Sequence, residues 1–483
     1  MNKNISLLFN LAFIFALISC SSSKLPYSSI KSFSEGLSLI SIDSKFGYMN
    51  EDLKLAINPV FEIGTDFVDD YATVKSNGFW GVINKEGHFV LNPEFDSITI
   101  INDSSEMMFF TIKDNVIKII DKSNNILFNF TNYNLNSDLI HINDFIAFKS
   151  NDKYILITPS KKSFIESDFE DINVDVDNRL IVFKKNNKYG LSDFNGKILL
   201  DADYDNLCGF SENMAIIEKN KKFGFINLET LDVIDPIYEN ALKFSEGLAS
   251  VKLTNSYGYI DKSNKMIIEP NFNFASSFKN GVASVLINNS NRLIDKEGNL
   301  LTKEPFFIDN DSKFSNGLLP ICKKVEDKFK YGYLNEKGKE VIPVIYDKAN
   351  NFTNNYAIVE VNNKKGALNT AGQVVIPIEY DYIINFSDYF IVSKNKNYGL
   401  LDNTGKVIIP LKYDNLIYHD LNNGNVQSNP SNPILIFRKK NKFGAINFKN
   451  EILIKPIYDE LNFLNENILS GKIKNNYDFL LLK

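Results

Sequence analysis

The chain has 483 residues, 44% of them hydrophobic and 13% aromatic, which is the composition of a folded protein too long for one ordinary core. Its net charge of −6, with 53 basic residues interspersed among 59 acidic ones, excludes the concentrated positive surface that nucleic-acid binding requires. The 39 Phe and 22 Tyr favour β structure.

At the N-terminus, Lys3 precedes an apolar stretch, residues 5–18, broken only by Ser6 and Asn10. It is too short for a comfortable membrane span, and no later segment comes close, so residues 1–19 read as a signal peptide. The stretch ends in Leu17-Ile18-Ser19-Cys20. This resembles the lipobox of bacterial lipoproteins, which implies lipid on Cys20, residues 20–31 as a short tether, and a membrane-anchored place in the cell envelope. Outer membrane and cell surface both fit, and the leaflet stays open.

From residue 32 to 483 the chain repeats itself, and the repeat decides the fold class. FSEGL stands at 33–37 and 244–248, with FSEN at 210–213, FKNG at 278–281 and FSNG at 314–317. Each phrase leads into a strand such as LASVKL, then an aromatic-Gly pair within a strand such as YGYID. A polar turn, an apolar run near Pro and an aromatic residue complete the unit. The aromatic-Gly glycines are Gly47, Gly81, Gly190, Gly224, Gly258, Gly332, Gly399 and Gly444, and Gly366, Arg292 and Asp478 hold the same slot in other copies. The common step is 34 residues, with steps of 40 before Gly332 and 45 before Gly444. Decayed copies centred near Lys118 and Ile155 fill the gap between Gly81 and Gly190, giving about thirteen units. The stretch of about residues 100–180 is the expected weak part of the array, and the long step near 300–312 is a candidate break between halves.

The recurring slots have mechanical readings. Asp or Asn stands three residues before Gly in Asn84/Gly87, Asp193/Gly196, Asp295/Gly298, Asn335/Gly338, Asn369/Gly372 and Asp402/Gly405. A side-chain cap followed by a left-handed residue makes a short hairpin turn. Asn264 and Asn450 replace Gly where it is absent, as the residue that best tolerates that conformation after Gly. The acid is thus a turn residue, not a general base. The bare Gly after the aromatic is expected to accommodate a ring from the neighbouring unit. Prolines 59, 93, 236, 270, 343, 377, 410 and 456 are expected to end each unit's third strand, where no ladder donor is needed. A Phe follows the next aromatic by six residues in Phe61/Phe67, Tyr204/Phe210, Tyr238/Phe244, Phe272/Phe278, Tyr346/Phe352 and Tyr380/Phe386, and reads as core between units.

The NKYG, KKFG and NKFG phrases, with FSEGLASV and VIIP-x-x-YD around them, resemble the bacterial WG (KWG) repeat over nearly the whole mature chain. Only Trp80 keeps the Trp that names it. The resemblance implies a repeat scaffold, often exported and usually without an assigned activity. The expected fold is all-β: tandem hairpin or meander units forming an open superhelical array, since propeller blades usually take four strands and more residues. One or two closed β-propellers are the alternative.

For chemistry, the sequence offers little. His88, His141 and His419 lack partners at ligand spacing, and no hydrolase, metalloprotease, phosphate or dinucleotide motif occurs. Cys208 takes a slot held by Leu242 in the next copy and reads as a small core residue. Cys322 is either an exposed thiol or buried against the loop at 302–312. Asp171, Asp175 and Asp177, within the acid-rich run Glu166, Asp168 and Glu170, alternate as if along one strand face. They are the weak candidate for a cation site, against a solvated edge strand charged to resist pairing; Asp309 and Asp311 are weaker still. No cofactor is expected. The polar insertion 419–433 reads as a surface loop and the first candidate contact region. The leading function is a non-catalytic, envelope-anchored scaffold binding a protein or glycan. A glycan-acting hydrolase on a propeller-like fold and a purely structural spacer are the alternatives.

Overall fold

The computed structural model describes residues 27–482 except 103–106, 132, 134–138, 143–144, 176, 310, 419–432, 466 and 475. Cys20, the signal peptide and nearly all of the 419–433 insertion lie outside the described residues.

The described chain is all-β, with a single 3-10 turn at Pro159–Lys161 and no helix long and apolar enough to cross a membrane. It forms thirteen antiparallel sheets, each a meander whose strands pair in sequence order. Blade 7 shows the plan. Its first strand is the short Asn240–Ala241, its second Leu248–Leu253, its third Ser256–Asp261 and its fourth Met266–Phe272. The central pair is buried on both faces because blades pack on either side of it, so these strands read as continuous apolar runs. The fourth strand alternates buried and exposed. Between the second and third strands sits a two-residue turn, Thr254-Asn255, with φ of 50° and 67°. Two positive φ values match the twist of a hairpin, which is why this turn is so often Asn-rich along the chain.

Core clusters bridge successive blades. One joins Met214, Ile216, Phe225 and Tyr238 of blade 6 to Phe244, Ala249 and Val251 of blade 7. The six-apart rings Phe61/Phe67, Tyr238/Phe244, Phe272/Phe278 and Tyr346/Phe352 each lie together in one core cluster. Phe67, Phe244, Phe278 and Phe352 pack at 4.8–5.0 Å on Tyr48, Phe225, Tyr259 and Tyr333 of the preceding blade.

The array is not an open superhelix but a closed ring. Tyr27, Ile40 and Met49 of blade 1 (residues 27–61) form one core with Leu464, Ile468 and Phe479 of blade 13 (residues 460–481). The Tyr27 and Phe479 rings lie 5.1 Å apart, and Phe33 N–H donates to Leu464 O at 3.1 Å. The open form was expected from unit length, but closure depends on small rotations summed over thirteen blades. A usable signal was present: an open array needs polar outer faces on its end units. Leu37–Ile42 instead carries Leu37 and Leu39 on one face and Ile40 and Ile42 on the other.

The long step at 300–312 makes no gap in the core. Phe306 bridges to Asn291 of blade 8, and Phe307 bridges to Cys322 of blade 9. Val282, Leu293, Phe306, Leu319 and Leu334 share one core across the two blades.

A second correction concerns the aromatic-Gly pair. A Cβ on Gly258 would lie 2.4 Å from Ile268 O and 2.8 Å from Pro270 N, so backbone, not a neighbour's ring, fills the space. Tyr257 pairs with Phe272 while Tyr259 pairs with Ile268, so three residues of the fourth strand bulge over one glycine. The prolines therefore sit within this bulge, off the hydrogen-bond ladder, rather than at a strand end. In blades 3 and 4, Lys118 and Ile155 hold the slot, and opposite it the fourth strands pair one residue to one: Lys118 with Asn129, Ile155 with Glu166. Glycine in this slot goes with the bulge; a side chain there goes with a straight strand.

Candidate functional site

A sequential meander puts the first-to-second and third-to-fourth connections at one end of each blade, and the remaining two connections at the other. The ring therefore has two rims. The FSEG-type phrases and the Asp/Asn-Gly turns share one; the two-residue turns and the Tyr-Asp connections share the other.

On the second rim the acids are structural. Asp205 Oδ2 accepts from Asn220 N at 2.6 Å, Asp347 Oδ2 from Asn362 N at 2.7 Å, and Asp459 Oδ2 from Lys474 N at 2.8 Å. Each carboxylate thus caps the two-residue turn of the following blade. The other oxygen meets the Lys two residues before the slot glycine: Lys188 on Asp205, Lys364 on Asp381, and Lys330 on Asp347 and Lys442 on Asp459 at 2.5 Å. These lysines, then the turn amides, hold the four carboxyls below the usual aspartate range. The Lys of K-[YF]-G and the Asp of Y-D are two halves of one clamp.

On the first rim the turn acids act as expected. Ser263 and Lys265 amides donate to Asp261 Oδ1 at 2.9 Å, with Asn264 at φ 67°. Glu of the FSEG phrase ties blades together: Glu246 accepts from Asn280 N at 2.5 Å and Gly281 N at 2.9 Å of the next blade and pairs with Lys296 at 3.1 Å. Glu35 does the same with Asp69, Asp70 and Lys85.

Three buried phenols span the blade interfaces. Tyr48, Tyr259 and Tyr333 donate to Thr65 O, Ser276 O and Asn350 O at 2.7, 2.7 and 2.8 Å. Burial pushes all three well above the ordinary tyrosine value. Unfolded tyrosine titrates near pH 10, so above that pH the unfolded chain releases protons that the native ring retains. Stability is full below about pH 10 and falls as pH rises, by up to ~1.4 kcal/mol per pH unit for each phenol. Denaturant midpoints measured at pH 9 and pH 11 should show this fall, with a shallower fall in the triple Tyr→Phe variant.

The acidic run is dispersed by the fold. Glu166 meets Tyr133 and Lys153, Asp168 meets Lys185 at 2.7 Å, and Glu170 caps Asn186 and Asn187. Asp171 and Asp175 begin and end one strand, but Asp177 lies beyond it in the following turn. Asp175 Oδ2 accepts from Asn178 Nδ2 at 2.7 Å. No group of three or more His, Cys, Asp or Glu is placed to hold a metal ion among the described residues. Cys208 is exposed, not core: Leu207 beside it takes the buried position. Cys322 is buried, its backbone paired with Phe307 in the 302–312 segment.

Among the described residues, two clefts lie where the repeat is interrupted. One, of about 430 Å³, lies where the 302–312 insertion meets blade 10, lined by Asp309, Asp311, Asn350, Thr353, Tyr356 and Asn385. Burial, then the nearby Asp309 carboxylate, pushes the Tyr331 phenol up to about 12. The other, of about 550 Å³, lies at the ring seam between Lys31–Ser34, Asp66 and the residues around Asn462 and Tyr477. Sequence reading missed both, because neither is local: each joins segments of different blades.

The architecture is that of a closed ring of β-meander blades, a propeller-like repeat scaffold. The family described as WG containing repeat matches residues 46–78, 80–107, 189–223, 223–256, 257–290, 331–364, 366–398, 398–426 and 443–477. The chain belongs to this family. No curated protein matches it. Solved structures with similar folds include the extracellular domain of a one-component system of B. thetaiotaomicron, at 10% identity and a TM-score of 0.21, covering 96% of this chain and 82% of that one. PorZ, a surface component of the type-IX secretion system of Porphyromonas gingivalis, matches at 11% identity and a TM-score of 0.21, covering 94% and 80%. A eukaryotic initiation factor matches at 12% and 0.29, covering 79% and 94%. At such scores no ligand, partner or activity passes from these proteins to this chain.

Proposed function

We propose that the protein is a non-catalytic interaction scaffold, held at the bacterial envelope by lipid on Cys20, that binds a protein or glycan through its repeat surface. One observation carries this reading. The recurrent polar residues are consumed by turn caps and blade clamps, whereas two clefts among the described residues lie where the repeat is interrupted: at the insertion and at the seam. The mature chain should give saturable binding in a surface-plasmon-resonance screen of glycans and purified envelope proteins. Binding by neither class would leave the spacer reading, and release of new reducing ends from a bound glycan would favour the hydrolase. For the anchor, the wild type should partition into detergent when expressed in its host, and Cys20→Ala should be soluble or uncleaved. Release of the wild type without lipid refutes the anchor.

A further inference from the structure

The seam is the one junction where neighbouring blades are joined by no connecting peptide, and the larger cleft opens across it. Phe33 and Leu464, whose backbones make the closing hydrogen bond, both line this cleft. We propose that the seam cleft is a binding site for a neutral saccharide, and that an occupied cleft holds the ring shut. This rests on the scaffold reading and narrows its ligand.

The lining selects the chemistry. Its charges cancel locally: Lys31 Nζ lies 3.5 Å from Asp66 Oδ2, and Glu460 is paired with Lys472 at 3.0 Å. A phosphate or a cationic peptide would find no uncompensated counter-charge. The other polar groups mix donors and acceptors: the hydroxyls of Ser32 and Ser470, the amide of Asn462, and the Tyr477 hydroxyl, which also meets Lys472. Phe33, Phe463 and Leu464 add apolar wall against which the C–H face of a sugar ring can lie. Asp66 Oδ1 is buried and accepts no hydrogen bond among the described residues. The insertion cleft differs, since Asp309 and Asp311 line it and no lysine or arginine is among its lining residues.

Occupancy and closure are linked because one ligand would touch Lys31 and Asp66 on blades 1 and 2 and Asn462 on blade 13 at once. A ligand that binds the closed ring better than the open one shifts the ring toward closure.

The test uses the full mature chain on an array of neutral, acidic and amino-sugar oligosaccharides, followed by titration calorimetry with the best neutral hit. The expected result is saturable binding to a neutral oligosaccharide, weakened about tenfold or more by Asn462→Ala or Tyr477→Phe. Asp309→Asn should leave it unchanged. Hydrogen exchange at Ile40, Met49 and Ile468 should slow when that sugar is bound. Binding lost in Asp309→Asn but kept in the seam variants would move the ligand to the other cleft, overturning this proposal while sparing the scaffold. Binding only to charged glycans, or no binding anywhere on the array, overturns it as well; a protein ligand from the envelope screen would still leave the scaffold standing. Sugar binding without slower exchange at the seam removes the closure claim.

Discussion

Gly258→Ala should lower the stability of the ring by about 1–3 kcal/mol, at the upper end of that range, and Gly258→Val by at least as much. The added methyl meets Ile268 O at 2.4 Å and Pro270 N at 2.8 Å. These are backbone atoms of the same blade, which cannot rotate aside as a side chain would, so even alanine is not mild. The rescue is specific. Deleting Pro270 and Asn271 leaves a single residue opposite position 258, the straight pairing seen at Lys118 and Asn129 in blade 3. That deletion combined with Gly258→Ala should recover much of the loss in a thermal or urea melt. No recovery would mean that bulge and glycine are unrelated. Gly247→Asn is the control: its φ is +85°, but nothing lies within 4 Å of a Cβ there, so its midpoint should move little. Gly338→Asn, silent if only backbone conformation mattered, should destabilise, because its Cβ would lie 2.5 Å from Leu301 O.

Phe479→Ala should cost about 3–5 kcal/mol, the usual range for emptying a buried phenylalanine site. Phe479 is 4% exposed and packs against Tyr27 across the seam. Its consequences should travel in a way that separates a ring from an open array. In an open array, damage to the last unit frays that unit and its neighbour. In the ring, hydrogen exchange should also accelerate at Ile40 and Met49 of blade 1, more than four hundred residues away in sequence but in the same core. Scattering should report a larger radius of gyration if the seam opens. Protection in blade 1 unchanged by Phe479→Ala would mean the ends of the chain are not coupled.

Much of this molecule is determined by short-range sequence. The alternation of LASVKL and YGYID, the three-residue spacing from Asp or Asn to Gly, and the 34-residue period lead to all-β meander units and their number. Those features are local, because hairpin pairing and turn capping involve residues within a few positions of one another. The turn role of Asp261 and its equivalents was legible for the same reason. Only the tertiary structure decided what lies on the far side of each residue. It put a bulged backbone over Gly258, placed Cys208 outside and Cys322 inside, and took Asp177 off the face of Asp171. It also joined Tyr27 to Phe479. Closure is the clearest case, since it depends on rotations added over the whole chain and no single unit encodes their total. The clefts follow from it: the seam site exists only because residues 31–34 and 462–464 meet, and that meeting is a property of the ring.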